Sequence, residues 1–299
     1  MLSFFNVSIF ATQRHEPIPY EMSIDSTQEQ IAHAFSCQEA IEIRSISLEA
    51  LSRFNEIACY IDWNQRAHKS FALHTHFDIF KEPGEYALFK ELLKKLRVTH
   101  FQMHLSPDQQ CHEQFAFFFD SPHAGFVTTL SIEGCVNNKT ADYLIAAISQ
   151  LKHLKHFKIV SGLSGEKMRT MIETLNPNLE SLDITFMNHT DWMQILMTLP
   201  AFWHLKKLNF MGSLTYCGML NFKQILSSRC LPHLETIKLT GYFEEGSLVP
   251  LVESMLMKKT IKNLTIVSSH LWSFKPFLRT AFQSEFKIWT NGEQFRAQR

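Results

Sequence analysis

The sequence predicts an α/β fold in which parallel strands alternate with helices and stack in chain order as an open solenoid. Three observations carry this. A heptamer with apolar fourth and sixth places recurs nine times, starting at residues 38, 68, 98, 127, 154, 179, 205, 234 and 261, in steps of 25 to 30 residues. Such a period marks units that stack on their neighbours. The third and fifth places hold no large apolar residue in any of the nine, so one face of each strand is buried and the other meets water. Between the heptamers lie segments with apolar residues at the three-to-four spacing of helices. A closed parallel barrel would bury both strand faces and read as nearly continuous Val, Ile and Leu. The alternation selects the open arrangement.

Taken in order, residues 1–37 are an N-terminal capping segment. It has a strand around Phe5, Val7 and Ile9 and a helix from Ser26, where Glu29 completes a capping box. Residues 38–270 hold the nine repeat strands. The fourth places should form one buried ladder: Ile41, Phe71, Phe101, Leu130, Phe157, Leu182, Leu208, Ile237 and Leu264. Helices are predicted over 47–60, 85–97, 139–151, 165–175 and 247–259, with Asn138, Ser164 and Gly246 as caps or hinges before the last three. Strands joined through helices should be parallel. The run "FAFFF" at 115–119 reads as a helix packed under the sheet. Residues 271–299 form a C-terminal cap and tail: a short helix, a last strand in "EFKIW" (285–289) and a polar end. Terminal units of a solenoid are atypical because they shield the core edge.

The segments LESLDI, LKKLNF and LETIKL fit L-x-x-L-x-L, and VTTLSIEGC places Cys135 at the consensus Asn/Cys position. The pattern resembles the leucine-rich repeat, and the repeat length with a full helix resembles its ribonuclease-inhibitor-like subclass. The resemblance is strongest from about 98 to 270. It implies a horseshoe with a parallel concave sheet and outer helices, and a macromolecule bound on the concave face. The sequence departs from the family where Phe replaces Leu. It departs again where Ser106, Gly162, Met187, Ser213, Tyr242 and Ser269 stand at the Asn/Cys position. Somewhat irregular loops are expected after those strands. The Phe-, Lys- and Ile-rich degenerate repeats also resemble effectors that intracellular bacteria deliver into host cells, which implies action on a host protein.

Composition narrows the function classes. Lys plus Arg and Asp plus Glu number 29 each, a balance that argues against nucleic-acid or anionic-membrane binding. No run approaches about 18 apolar residues, so no membrane insertion is expected. The N-terminus lacks a positive n-region, which predicts a cytosolic chain, or one delivered into a host cytosol without a classical signal peptide. Cysteines 37, 59, 111, 135, 217 and 230 are scattered with no C-x-x-C pair and read as reduced thiols. Sequons at Asn6, Asn138, Asn188 and Asn263 read as chance matches. The expectation is a monomer with a protein partner, no nucleic acid and no cofactor.

The segment "FALHTHFDIF" (71–80) resembles the His-x-His metal-binding opening of amidohydrolase-type barrel enzymes. In the heptamer register His74 and His104 share the seventh place on adjacent strands, ~4.8 Å apart, and His100 lies ~13 Å from His104. Zinc needs three or four ligand atoms about 2 Å from one point. No carboxylate or thiol joins the histidines in this register, and the later His and Asp of an amidohydrolase are missing from matching places. Solvated histidines are the first reading; a metal-dependent hydrolase using the His74/His76/His104 region is the second. "SGLSGEKM" (161–168) lacks the Walker spacing, and no G-x-S-x-G, H-E-x-x-H or G-x-G-x-x-G occurs. Lys158, Lys207 and Lys238 at outward places, with Lys155, Lys206 and Lys262 at place two and Asp183 interrupting them, read first as a solvated polar sheet and second as a mildly basic surface suited to an acidic protein. The candidate partner-binding residues are His74, His100, His104, Glu133, His156, Lys158, Asp183, Lys207, Asn209 and Lys238; no residue is assigned a catalytic or metal role.

Overall fold

The computed structural model describes residues 20–22, 40–43, 70–76, 98–105, 122–134, 136, 138–186, 193–213, 215–227, 230–244 and 246–299. The strands are β1 (Tyr20–Met22), β2 (Ala40–Ile43), β3 (Ser70–His76), β4 (Val98–Leu105), β5 (Thr129–Gly134) and β6 (His156–Ser161). They continue with β7 (Ser181–Phe186), β8 (Lys207–Met211), β9 (Thr236–Thr240), β10 (Asn263–Val267), β11 (Lys287–Asn291) and β12 (Gln294–Gln298). All belong to one twelve-stranded sheet in the order β1 to β10, then β12, then β11. The first ten pair in parallel with their chain neighbours, as strands joined through helices must. No ladder closes the order back on β1 among the described residues.

Among the described residues the helices are α1 (Asn138–Ile148), α2 (Gly165–Glu173), α3 (Met193–Leu196), α4 (Tyr216–Ser227), α5 (Leu248–Met257) and α6 (Leu271–Phe282). Consecutive helices pack on one another. Their apolar stripes, including Leu144, Ile172, Phe222, Leu251 and Leu278, join the inward strand residues in one core. α1, α2, α5 and α6 stand where the spacing predicts helices; the segments 47–60, 85–97 and 115–119, the strand around Phe5 and the helix from Ser26 lie outside the described residues. Ser164 caps α2 as expected: its Oγ accepts from Lys167 N at 3.4 Å. Asn138 is the first residue of α1 instead of its cap. Gly246 is a hinge at φ +76°, and Ser247 takes the cap position of α5 without a side-chain hydrogen bond.

The ladder forms in register from β4 to β10. Phe101, Leu130, Phe157, Leu182, Leu208, Ile237 and Leu264 oppose one another in turn, and all are buried. Two expectations are corrected. Between β3 and β4 the register shifts after Phe71, so Leu73, not Phe71, opposes Phe101; Ile41 does oppose Phe71. The bulge itself is one extra residue, Thr99, on β4; beyond it the pairing lies two residues from the heptamer register, so each residue keeps its expected face. The second correction concerns the end of the chain. The expected last strand forms slightly later, at Lys287–Asn291, and the expected polar tail is β12, which inserts antiparallel between β10 and β11. It buries Phe295 and Ala297 in the core edge. Arg299 N then donates to Lys262 O at 2.8 Å, and the Arg299 guanidinium reaches the carbonyls of Met255, Lys258 and Ile261.

Candidate binding face

The third, fifth and seventh places lie on the sheet face turned away from the helices. Parallel pairing aligns them in rows. The third-place row runs His100, Thr129, His156, Ser181, Lys207, Thr236, Asn263. The fifth-place row runs Gln102, Ser131, Lys158, Asp183, Asn209, Lys238, Thr265. Equivalent residues on adjacent strands are ~4.8 Å apart, so His100, His156, Lys158, Asp183, Lys207, Asn209 and Lys238 do occupy one continuous surface. The antiparallel hairpin lengthens it: Arg296 opposes Thr265, Trp289 opposes Arg296, and Gln298 stands between Asn263 and Lys287. Sequence reasoning missed Arg296 because 290–299 read as a polar end, and it did not extend the candidate face to Lys287 and Trp289 on the expected last strand. The available signal was the alternation of Phe295 and Ala297 with Gln294, Arg296 and Gln298.

Charge along the face is uneven. Across β5 to β8, Lys158 Nζ donates to Glu133 Oε1 at 2.6 Å, and Asn209 Nδ2 donates to Asp183 Oδ2 at 3.1 Å. His156 is held below the usual imidazole range, first by burial; Glu180 opposes this, and His100, Lys207 and Lys155 add to it. It is neutral near pH 7. From β8 to β11 the fifteen outward positions carry Lys207, Lys238, Lys287 and Arg296 and no carboxylate. None of these four makes an ion pair with another described residue.

The second-place lysines do not add to this positive surface, contrary to the sequence expectation. Successive repeats place Lys155, Glu180, Lys206, Glu235 and Lys262 side by side, alternating in sign. Glu180 bridges Lys206 at 2.7 Å and Lys155 at 3.1 Å, and Glu235 bridges Lys262 at 2.8 Å. The Lys206 and Lys155 hydrogen bonds hold the Glu180 carboxyl down at about 2.

At the other end of the face the strand register corrects the histidine geometry. His74 opposes Gln102; His76 opposes His104, and His104 opposes Glu133. His100 accepts or donates at Nδ1 with Thr99 Oγ1 at 2.9 Å. Among the described side chains no three His, Cys, Asp or Glu residues converge on one point; those of His74, His76 and His104 lie outside that set. No described helix is long and apolar enough to cross a membrane. No family model matches this chain, and no curated protein is significantly similar to it.

Proposed function

We propose that this chain is a leucine-rich-repeat-like horseshoe whose open sheet face binds a protein partner, with an acidic, extended segment of that partner lying over β8 to β11. The observation that carries the reading is the run of fifteen outward positions with four cations and no carboxylate. A polar face kept open along a stack of repeats is what solenoids offer to partners. Asn209, Asn263, Gln294 and Gln298 supply side-chain amides that can both donate to and accept from a peptide backbone, and Trp289, 49% exposed, supplies an aromatic anchor. A nucleic acid is disfavoured because the chain has no net charge and the patch offers a single stacking ring. The resemblance to bacterial effectors would make the partner a host protein.

The test is photo-crosslinking in cells. A crosslinker at Asn209 or Thr265 should capture a protein that one at the helix positions Arg169 or Gln224 does not. Lys207→Glu with Lys238→Glu should abolish that capture while the melting temperature stays nearly unchanged, since exposed charges contribute little to stability. Capture confined to the helix positions would move the interface to the other side of the sheet.

A further inference from the structure

We infer that the outer edge of β11 is a strand-docking site, which takes an acidic extended segment of a partner protein as one further strand of the sheet. The inference deepens the reading above and rests on it for the class of partner, but it uses the edge of the sheet, not its open face. β11 ends the sheet order, and its one ladder among the described residues is with β12. The phase of its hydrogen bonds follows from the other side of β12. Arg299 N donates to Lys262 O at 2.8 Å and Ser268 N donates to Glu293 O at 2.9 Å, continuing the register of β10 against β12 at its two ends. The odd-numbered residues from 293 to 299 therefore bond to β10, and bonding direction alternates residue by residue in an antiparallel ladder. Gln294, Arg296 and Gln298 are left to bond their partners Asn291, Trp289 and Lys287 on β11. The N–H and C=O groups of Ile288 and Thr290 then point away from the sheet and offer two donors and two acceptors to an added strand.

The side chains around this edge select the occupant. Lys287 and Trp289 stand exposed on the open face, and Ile288 packs against the core on the other. From that second face α6 sends two cations to the edge: Arg279 Nη2 donates to Thr290 Oγ1 at 2.6 Å, and Lys275 Nζ donates to Gly292 O. Both acceptors are uncharged, so the positive charge is not cancelled there. Against the three cations stand Glu293 in the hairpin turn and Glu285 before β11, and Glu285 is already bridged by Lys259 at 2.7 Å and Arg299 at 2.8 Å. Strand addition takes its affinity from main-chain hydrogen bonds and its selectivity from alternate side chains. Here apolar side chains of the added strand would lie beside Ile288 and Trp289, and carboxylates beside Arg279 and Lys287. A second copy of this chain, paired through its own β11, is disfavoured, because Lys275 and Arg279 of both copies would meet at one junction.

The test is selection of a displayed library of random peptides on the full chain, then binding titration and amide hydrogen exchange with the most enriched peptide. The expected peptides alternate Asp or Glu with apolar residues. Thr290→Pro removes an outward N–H without removing a bond to β12, and should weaken binding about 10-fold or more. Thr290→Val keeps that N–H, loses only the hydroxyl, and should bind as the unaltered chain does. Arg279→Glu with Lys287→Glu should reject the acidic peptide and, in a fresh selection, enrich basic ones, a gain that misfolding cannot produce. Exchange should slow at Ile288 and Thr290 when the peptide binds. Lys207→Glu with Lys238→Glu, the variant that tests the open face, should leave the peptide bound at the edge, so the two readings fail separately. No enriched peptide, equal binding to Thr290→Pro, or protection that misses Ile288 and Thr290 would each overturn the site. A dimer in sedimentation that Thr290→Pro dissociates would overturn it in favour of a second copy.

Discussion

Gly241 stands so close to the carbonyl of Gly212 that a Cβ built on it would lie 1.9 Å from the Gly212 oxygen. Gly241 also holds φ at +141°, and its N–H donates to Val267 O at 2.9 Å, while Gly212 N donates to Thr240 O at 2.9 Å. Three consecutive strands thus turn outward through one tight crossing of backbone. Gly241→Ala forces both a collision with backbone and a left-handed conformation, and should cost about 3 kcal/mol. Gly246, at φ +76° with nothing nearer than Tyr216 Cδ2 at 4.0 Å, should lose only about 1 kcal/mol as Ala. Urea unfolding of the two variants side by side checks the ranking.

The alternating charges at place two should show in the acid stability of the fold. The folded-state pKa of Glu180 lies below its ordinary value of 4.5, at about 2. Its two ion pairs are therefore fully present above the unfolded value and are lost as pH falls from about 4.5 through about 2. The carboxylate is on the surface, so solvent screening keeps the contribution to about 1 kcal/mol. Glu180→Gln should lower stability at pH 7 by that amount and flatten this part of the acid limb. Thermal unfolding at several pH values measures both.

Arg299 closes the end of the stack. Its Nη1 donates to Lys258 O and Ile261 O at 3.3 Å, its Nη2 to Met255 O at 3.2 Å and to Glu285 Oε2 at 2.8 Å. Its guanidinium also lies 4.5 Å from the centre of the Phe286 ring. The three carbonyls belong to the last turn of α5 and to the residues just past it. Arg299→Ala should cost about 2 kcal/mol. Arg299→Lys should recover little of it, because a single ammonium cannot span the same forked set of acceptors. Hydrogen exchange should quicken first in β12 and in the last turn of α5.

Depth in the ladder should separate large effects from small ones. Phe157 is 1% exposed in the centre of the core, and Phe157→Ala should cost about 3–5 kcal/mol through the cavity left behind. Lys158→Ala, next to it but on the open face, should cost less than about 1 kcal/mol. Comparable losses at the two positions would mean that the two faces of β6 are exchanged.

The heptamer alone determined the parallel order of β2 to β10, the buried ladder from Phe101 to Leu264 and the polarity of the open face. Those features depend on a period of two within each strand and on repetition between strands, and both are local to the chain. Tertiary structure decided the rest. A shift after Phe71 moved β3 against β4 and set His76, not His74, beside His104, with Glu133 next in line. Register between strands depends on where a bulge falls, which the apolar pattern does not record, because the pairing beyond the bulge lies two residues from the heptamer register and so leaves every residue on its face. The partners of Lys155, Lys206 and Lys262 were equally hidden. A charge 25 to 27 residues away in sequence becomes a partner only when the repeats stack, so lysines that read as a basic row along the chain are interleaved with Glu180 and Glu235 at place two, and the cations without an ion pair to a described residue lie from β8 to β11. The last strand was decided in the same way: Phe295 and Ala297 are too few to mark a strand by themselves, and β12 exists because the exposed edge of β10 and the open core beneath it required cover.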